Sequence, residues 1–363
     1  MADNFFGNAP NHAMPYDSVT YNGGTVPTSA GYHLVKRGSY GSVTFATNKC
    51  VVDFDAGCTF TNIRITADQC VLNFGPKTTL SADSSYGTLG IEGDRNYVYF
   101  GPQSTITDSG NGNARDVESL QGHAIIISGS YNTVEGANWT TRATGPSGAL
   151  AAYNSSGTAK HNTFKNMEAR NVSDKGSYAV TADILMSAPH TTAYNIGSWF
   201  GAPGGSVDGP PYAPASYKHA WIKIGPLAGT GSPSDSNGNG YGSRILYCYA
   251  DLSPNNPDGS ASALASGSAG NNTMSVSNYG GEHVSMIGCY QDTGGQVGGA
   301  SFSSSYAPYS IIYGNVADNN VNNYSTNTST TMVANVIKAI SNSNGTQENN
   351  VEHGGNMDAF ADD

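Results

Sequence analysis

Three carboxyls, Glu168, Asp174 and Asp183, fall close together in a chain of 363 residues of which only 12% are charged. Glycoside hydrolysis uses such groups in pairs, one protonated to assist the leaving oxygen and one ionised, about 5 to 10 Å apart. Downstream, Trp199, Tyr212, Tyr217, His219 and Trp221 bring together two of the three Trp and other amphipathic rings. Such rings stack on the apolar face of a sugar while their polar edges bond its hydroxyls. The chemistry expected of these groups is catalysis at the three carboxyls and substrate binding at the five ring-bearing residues. Elimination from a uronate would instead need a base near neutral pKa and a cation to offset the substrate charge. Lys175, His190, Lys218, His219, Lys223 and the Glu282-His283 pair are available for it, but their spacing forms no motif. A net charge of −11 repels a polyanion, so a neutral glycan suits this chain better. No cofactor is expected for hydrolysis, and Ca2+ enters only for a lyase.

The elements that must hold these groups are announced by repetition. Arg244 to Asp251 reads Arg-Ile-Leu-Tyr-Cys-Tyr-Ala-Asp, and its frame returns at Cys289-Tyr290-Gln291-Asp292 and at Asn315-Val316-Ala317-Asp318. Nearer the start, Cys50-Val-Val-Asp-Phe54 aligns with Cys70-Val-Leu-Asn-Phe74 and with Asn96-Tyr-Val-Tyr-Phe100. The residues that follow repeat as well, Phe74-Gly-Pro against Phe100-Gly-Pro, and Asn132-Thr-Val134 and Asn162-Thr-Phe164 keep the frame. Each copy alternates apolar and polar residues, as a strand burying one face does, and then reaches a small or polar residue suited to a turn. One short strand cannot bury its face alone. Copies roughly 20 to 26 residues apart, or twice that, predict stacked rungs, each covering the next. The 46 Gly, the abundant Asn, Ser and Thr, and the low charge predict many turns and few helices. Asp251, Asp292 and Asp318 return at one corner of this repeat and read as turn formers rather than catalysts.

The Asn-x-Val and Phe-Gly rungs resemble those of the right-handed parallel β-helix superfamily, which includes pectate-lyase-like enzymes, glycosidases and phage tailspikes. The resemblance covers residues 41 to 325 and is one of architecture, without the signature of any one enzyme family. It implies an all-β fold, a right-handed parallel β-helix solenoid, and polysaccharide as the ligand, while leaving the reaction open. It further implies a virion-associated protein of the tailspike or head-fibre kind, a homotrimer that binds host surface polysaccharide, with its cleavage left open. Two rival readings stand beside it: a secreted polysaccharide lyase or glycoside hydrolase, and a structural decoration or adhesion protein without an active site.

Residues 1 to 40, with Pro10, Pro15 and Pro27, read as an irregular arm that caps the first rung or docks on other virion proteins. Polar insertions at 107–122, 197–217, 226–242 and 253–272 should project from one side of the rungs and build a binding wall. Past residue 325, Met332, Val333, Val336, Ile337 and Ile340 would share one face of a short capping helix over 330–340, followed by an acidic tail. The five Cys form no Cys-x-x-Cys, and Cys50 with Cys70, like Cys248 with Cys289, hold equivalent places in the repeat, so buried free thiols are expected. The acidic balance and the lack of a basic cluster oppose nucleic acid as a partner. With no apolar run of membrane length and no secretory leader at the start as written, the expectation is no membrane insertion and a virion or extracellular location.

Overall fold

A computed structural model of the chain describes residues 19–21, 25–82, 87–108, 124–141, 149–151, 159–171, 184–200, 222–225, 240–251, 274–276, 282–292, 302–303, 309–317, 325–326, 330–337, 341–342 and 346–352. Among these residues the regular structure is all strand, and the strands pair in parallel. The chain passes repeatedly through three ladders. The first runs from Val19–Tyr21, Gly31–Val35 and Cys50–Phe54 through Thr133–Glu135 to Thr346–Glu348. The second runs from Thr59–Phe60 to Val351–Glu352. Two nine-residue strands, Thr163–Asn171 and Thr192–Phe200, belong to both and join them into one 22-stranded sheet. The third ladder, Ser42–Phe45 through Phe302–Ser303, is a separate nine-stranded sheet.

Pairing is in register, so each alternating segment sets its apolar residues directly over those of the previous pass. Val52, Leu72, Val98, Val134, Phe164, Ala193, Ile245, Met286, Ile312 and Met332 form one buried column of the first ladder. Each full-sized member contributes roughly 1.5–3 kcal/mol by leaving water. Beside it, Phe54, Phe74 and Phe100 stack at 4.4 and 4.7 Å. In those three passes four residues separate the first and second ladders, as in Gly75-Pro76-Lys77-Thr78. From Thr133–Glu135 onward the corner tightens to two, and the Phe stack ends. Gly136 takes the next position at φ 84°, where a Cβ would lie 2.3 Å from the Phe100 carbonyl oxygen.

Corners are where the backbone runs short of partners, and here side chains supply them. Before most first-ladder strands a non-glycine residue adopts left-handed geometry, as at Lys49, Gln69, Arg95, Tyr131, His161 and His190. Its N–H donates to a carbonyl of the next pass, as from Tyr131 to Lys160 (2.9 Å) and from His161 to Pro189 (3.1 Å). The residue after it points inward. There Asn96, Asn132 and Asn162 accept, through Oδ1, the N–H of Cys70, Asn96 and Asn132 at 2.8, 2.8 and 3.0 Å. Asn315, Asn335 and Asn350 repeat the device at the second corner, accepting from Cys289, Asn315 and Asn335. All five Cys are free and buried. Cys248 and Cys289 fill the column that Asn continues, each thiol donating to a carbonyl of the preceding pass at 3.5 Å.

Two expectations change. The capping helix over 330–340 is replaced by strands Thr331–Val333 and Val336–Ile337, which extend the first and second ladders. Helix and strand-corner-strand both explain the apolar spacing, but the β-branched Thr331, Val333, Val336 and Ile337 favour strand. Asn335 decides it. As a corner residue it is buried and bonded to Asn315, Ile312 and Asn350, a role no mid-helix Asn could fill. At the other end Val19–Tyr21 and Gly31–Val35 already pair in parallel, so strands occur within the first 40 residues.

Asn335→Ala leaves the buried N–H of Asn315 without its acceptor, and we expect unfolding free energy to drop by about 1–3 kcal/mol. A urea titration of variant against parent measures this, and an unchanged midpoint would show that the Asn column is dispensable.

Candidate functional site

Of the residues read as catalytic, Glu168 lies in Thr163–Asn171 on the second ladder, exposed, opposite Asn138 and Gly197. Asp174 and Asp183 lie outside the described residues. So do Tyr212, Tyr217, His219 and Trp221. Trp199 lies in Thr192–Phe200, its backbone opposite Arg170 and Asp251. Asp251 and Asp292 stand in register at the ends of second-ladder strands, and Asp318 is beyond the described residues.

What the fold does assemble is a ridge at the first corner. The left-handed residues there project outward, and from Arg95 on most carry rings. The Arg95 guanidinium sits 5.6 Å over the Tyr131 ring. Tyr131 stacks on His161 at 4.8 Å and 13°, and His161 on His190 at 4.7 Å and 6°. Tyr241 continues edge-on, 5.7 Å from His190 and 5.4 Å from His283, and His283 stacks on Tyr309 at 5.1 Å. Tyr241 takes this place because Gly242 holds the left-handed position, and a Cβ there would meet His190 Nδ1 at 2.5 Å. Tyr131 and Tyr309 are 47% and 57% exposed. A ring stacked on both faces has only its rim left for solvent. At Tyr131 and His161 the ridge therefore offers a phenol hydroxyl and imidazole nitrogens rather than flat plates, while Tyr241 stands edge-on between its neighbours.

Next to the ridge, Thr133, Thr163 and Thr192 stand in register and half exposed on the outward face, adding hydroxyls. One column further, Glu135 gathers donors. Tyr97 donates to its Oε2, Lys165 Nζ lies 2.9 Å from the same oxygen, and Asn166 Nδ2 donates to Oε1 at 2.7 Å. Partial burial would raise this carboxyl, but the three hydrogen bonds and the Lys165 charge together outweigh it and hold the group below its ordinary value. Glu135 is thus a fixed anion. The phenols of Tyr97 and Tyr99 are pushed upward, first by burial and then by Glu135.

Sequence reasoning named His190 and His283 only as scattered bases and passed over Tyr131, His161, Tyr241 and Tyr309. The signal existed. Tyr131 and His161 each immediately precede an Asn-Thr of the repeat, and His190 precedes the Thr-Thr in the same register. The chain matches no protein-family model, no curated protein and no solved structure.

Burial and the neighbouring Lys160 lower the His161 imidazole; burial, then His161, Arg244 and Lys160, lower that of His190. Folded values below the unfolded one, near 6.5, mean that the unfolded chain binds protons first as pH falls. The contribution of these rings to stability is complete above about pH 6.5 and is lost as pH drops through the folded values. We expect the parent's melting temperature to fall on acidification through this window. His161→Phe, which keeps a ring and removes its titration, should flatten that slope. An identical slope in parent and variant would exclude the imidazole as a source.

Proposed function

We propose that the chain is a right-handed parallel β-helix solenoid, a virion-associated protein of the tailspike or head-fibre kind, which binds host surface polysaccharide along the outward face of the first ladder. The observation that carries the binding is the ridge: six hydrogen-bonding ring rims in a row, with Thr hydroxyls beside them. Sugars are recognised through many hydroxyls at once, and a fixed row of donors and acceptors meets them without first losing conformational freedom. The placement on a virion rests on the resemblance of the Asn-x-Val and Phe-Gly rungs to tailspikes.

Hydrolysis, where it accompanies binding, is assigned to Glu168, Asp174 and Asp183, with Trp199, Tyr212, Tyr217, His219 and Trp221 extending the sugar contacts. Glu135 is excluded as the acid, because three donors hold it ionised. Elimination is the weaker reading, since a net charge of −11 opposes the polyuronate substrate that it needs.

The homotrimer belongs to the same proposal. Around the second corner, at the opposite edge of the first ladder from the ridge, Tyr247 and Tyr313 are 57% and 49% exposed, with Leu246 and Ile287 half buried beside them and Val333 half buried one pass further on. Leu246, Tyr247, Ile287, Tyr313 and Val333 themselves carry no charge, so copies of a chain with net charge −11 can approach each other there, with Glu348 opposite Val333 marking the end of the uncharged strip.

A panel of immobilised host-surface polysaccharides should capture the native protein. Tyr131→Ala with His161→Ala should weaken capture at least about tenfold, or 1.4 kcal/mol, with an unchanged circular dichroism spectrum. Should nothing on the panel be bound or cut, the non-enzymatic structural reading replaces this one. For assembly, light scattering should give three times the chain mass, and Tyr313→Asp should shift it towards one. A monomeric parent rejects the trimer.

A further inference from the structure

The ridge repeats with a period, and a repeating surface selects a repeating ligand. Successive ring centroids from Tyr131 to Tyr309 are 4.8, 4.7, 5.7, 5.4 and 5.1 Å apart. The period is imposed by the strand spacing, about 4.8 Å per pass, so the ridge spans about 24 Å. The rings cannot drift from it. Tyr131, His161, His190, His283 and Tyr309 share one left-handed backbone geometry, with φ of 61°, 57°, 56°, 58° and 59°. The N–H groups of Tyr131, His161 and His190 are each tied to the next pass. The adjacent column repeats at the same interval, with Thr133, Thr163 and Thr192 in register and Ser285 further along. At most of these passes the face therefore presents one ring rim and one hydroxyl.

We propose that this face takes an unbranched glycan of pyranoses joined through equatorial bonds at opposite ends of each ring, lying along the ladder with one sugar residue to each pass. The inference rests on the glycan-binding reading above and deepens it. In such a polymer every residue advances by nearly the strand spacing and turns over relative to the last, so each pass meets a hydroxyl, taken from alternate sides of the sugar ring in turn. An axially linked chain coils and loses register after one or two residues. The net charge of −11 favours a neutral polymer over a dense row of carboxylates, with Arg95 and Arg244 beside the ridge as the local exceptions. Hydrogen bonds exchanged with water are individually weak, so affinity has to accumulate with the number of residues in register.

The test is a length series of soluble cello- and chito-oligosaccharides, from disaccharide to heptasaccharide, titrated calorimetrically against the intact protein. Binding in at least one series should tighten by about threefold or more per added residue up to the hexasaccharide, then level off. Maltohexaose should bind at least about tenfold more weakly than the matching hexasaccharide. Tyr309→Ala removes the last tooth only: hexasaccharide affinity should fall to that of the pentasaccharide, while the pentasaccharide itself is unaffected. His161→Gln with His190→Gln, which breaks the row in the middle, should leave no gain beyond the trisaccharide. Equal affinity for the malto- series, or no dependence on length, overturns the inference. If other polysaccharides are captured and capture is lost in Tyr131→Ala with His161→Ala, the binding face stands and only the matched period fails. If no glycan binds at all, both readings fall together.

Discussion

The structure depends on parallel pairing without slippage, and the corners enforce it. A parallel ladder by itself tolerates a shift of two residues, since the apolar face is kept. The buried Asn side chains remove that freedom, because Asn96, Asn132 and Asn162 each reach one particular N–H of the pass before. A two-residue slip would bury several amides and N–H groups without partners, each costing roughly 1–3 kcal/mol. Register is therefore fixed by polar bonds and stabilised by apolar columns.

From this constraint follows the ridge. The residue just outside an inward corner residue, whether that is Asn162, Thr191, Val284 or Ser310, takes left-handed geometry, and that geometry points its side chain away from the core. Whatever occupies the position lands directly over its counterpart one pass earlier. Tyr and His there become a stack without any special design. The lowered imidazole values of His161 and His190 follow from the same enforced neighbours, since each ring is partly shielded and close to cationic groups.

Much of the fold was legible in the sequence because register and burial both leave a period-two trace. Cys50–Phe54, Val71–Phe74 and Tyr97–Phe100 were visible as aligned copies, and they are adjacent rows of one ladder. The C-terminal passes were misread because Met332, Val333, Val336 and Ile337 satisfy two periodicities at once, and the corner at Ala334-Asn335 carries no Gly or Pro to mark it. The site was less legible. Side chains that meet across passes lie about 30 residues apart in sequence, so Tyr131 and His161 show no local motif. Glu135 was hidden for the same reason, its partners Tyr97 and Lys165 standing one pass to either side.

Where an inward Asn occupies the corner, it closes one pass onto its neighbour with bonds that are the same from pass to pass. A whole pass can consequently be duplicated or removed, and the edges on either side of the cut still match. Insertion of a few residues within a strand does far more harm than loss of a complete row. Descendants of such a gene should vary in length by discrete quanta, gaining or shedding contact surface in proportion, while the local chemistry of every surviving row stays intact.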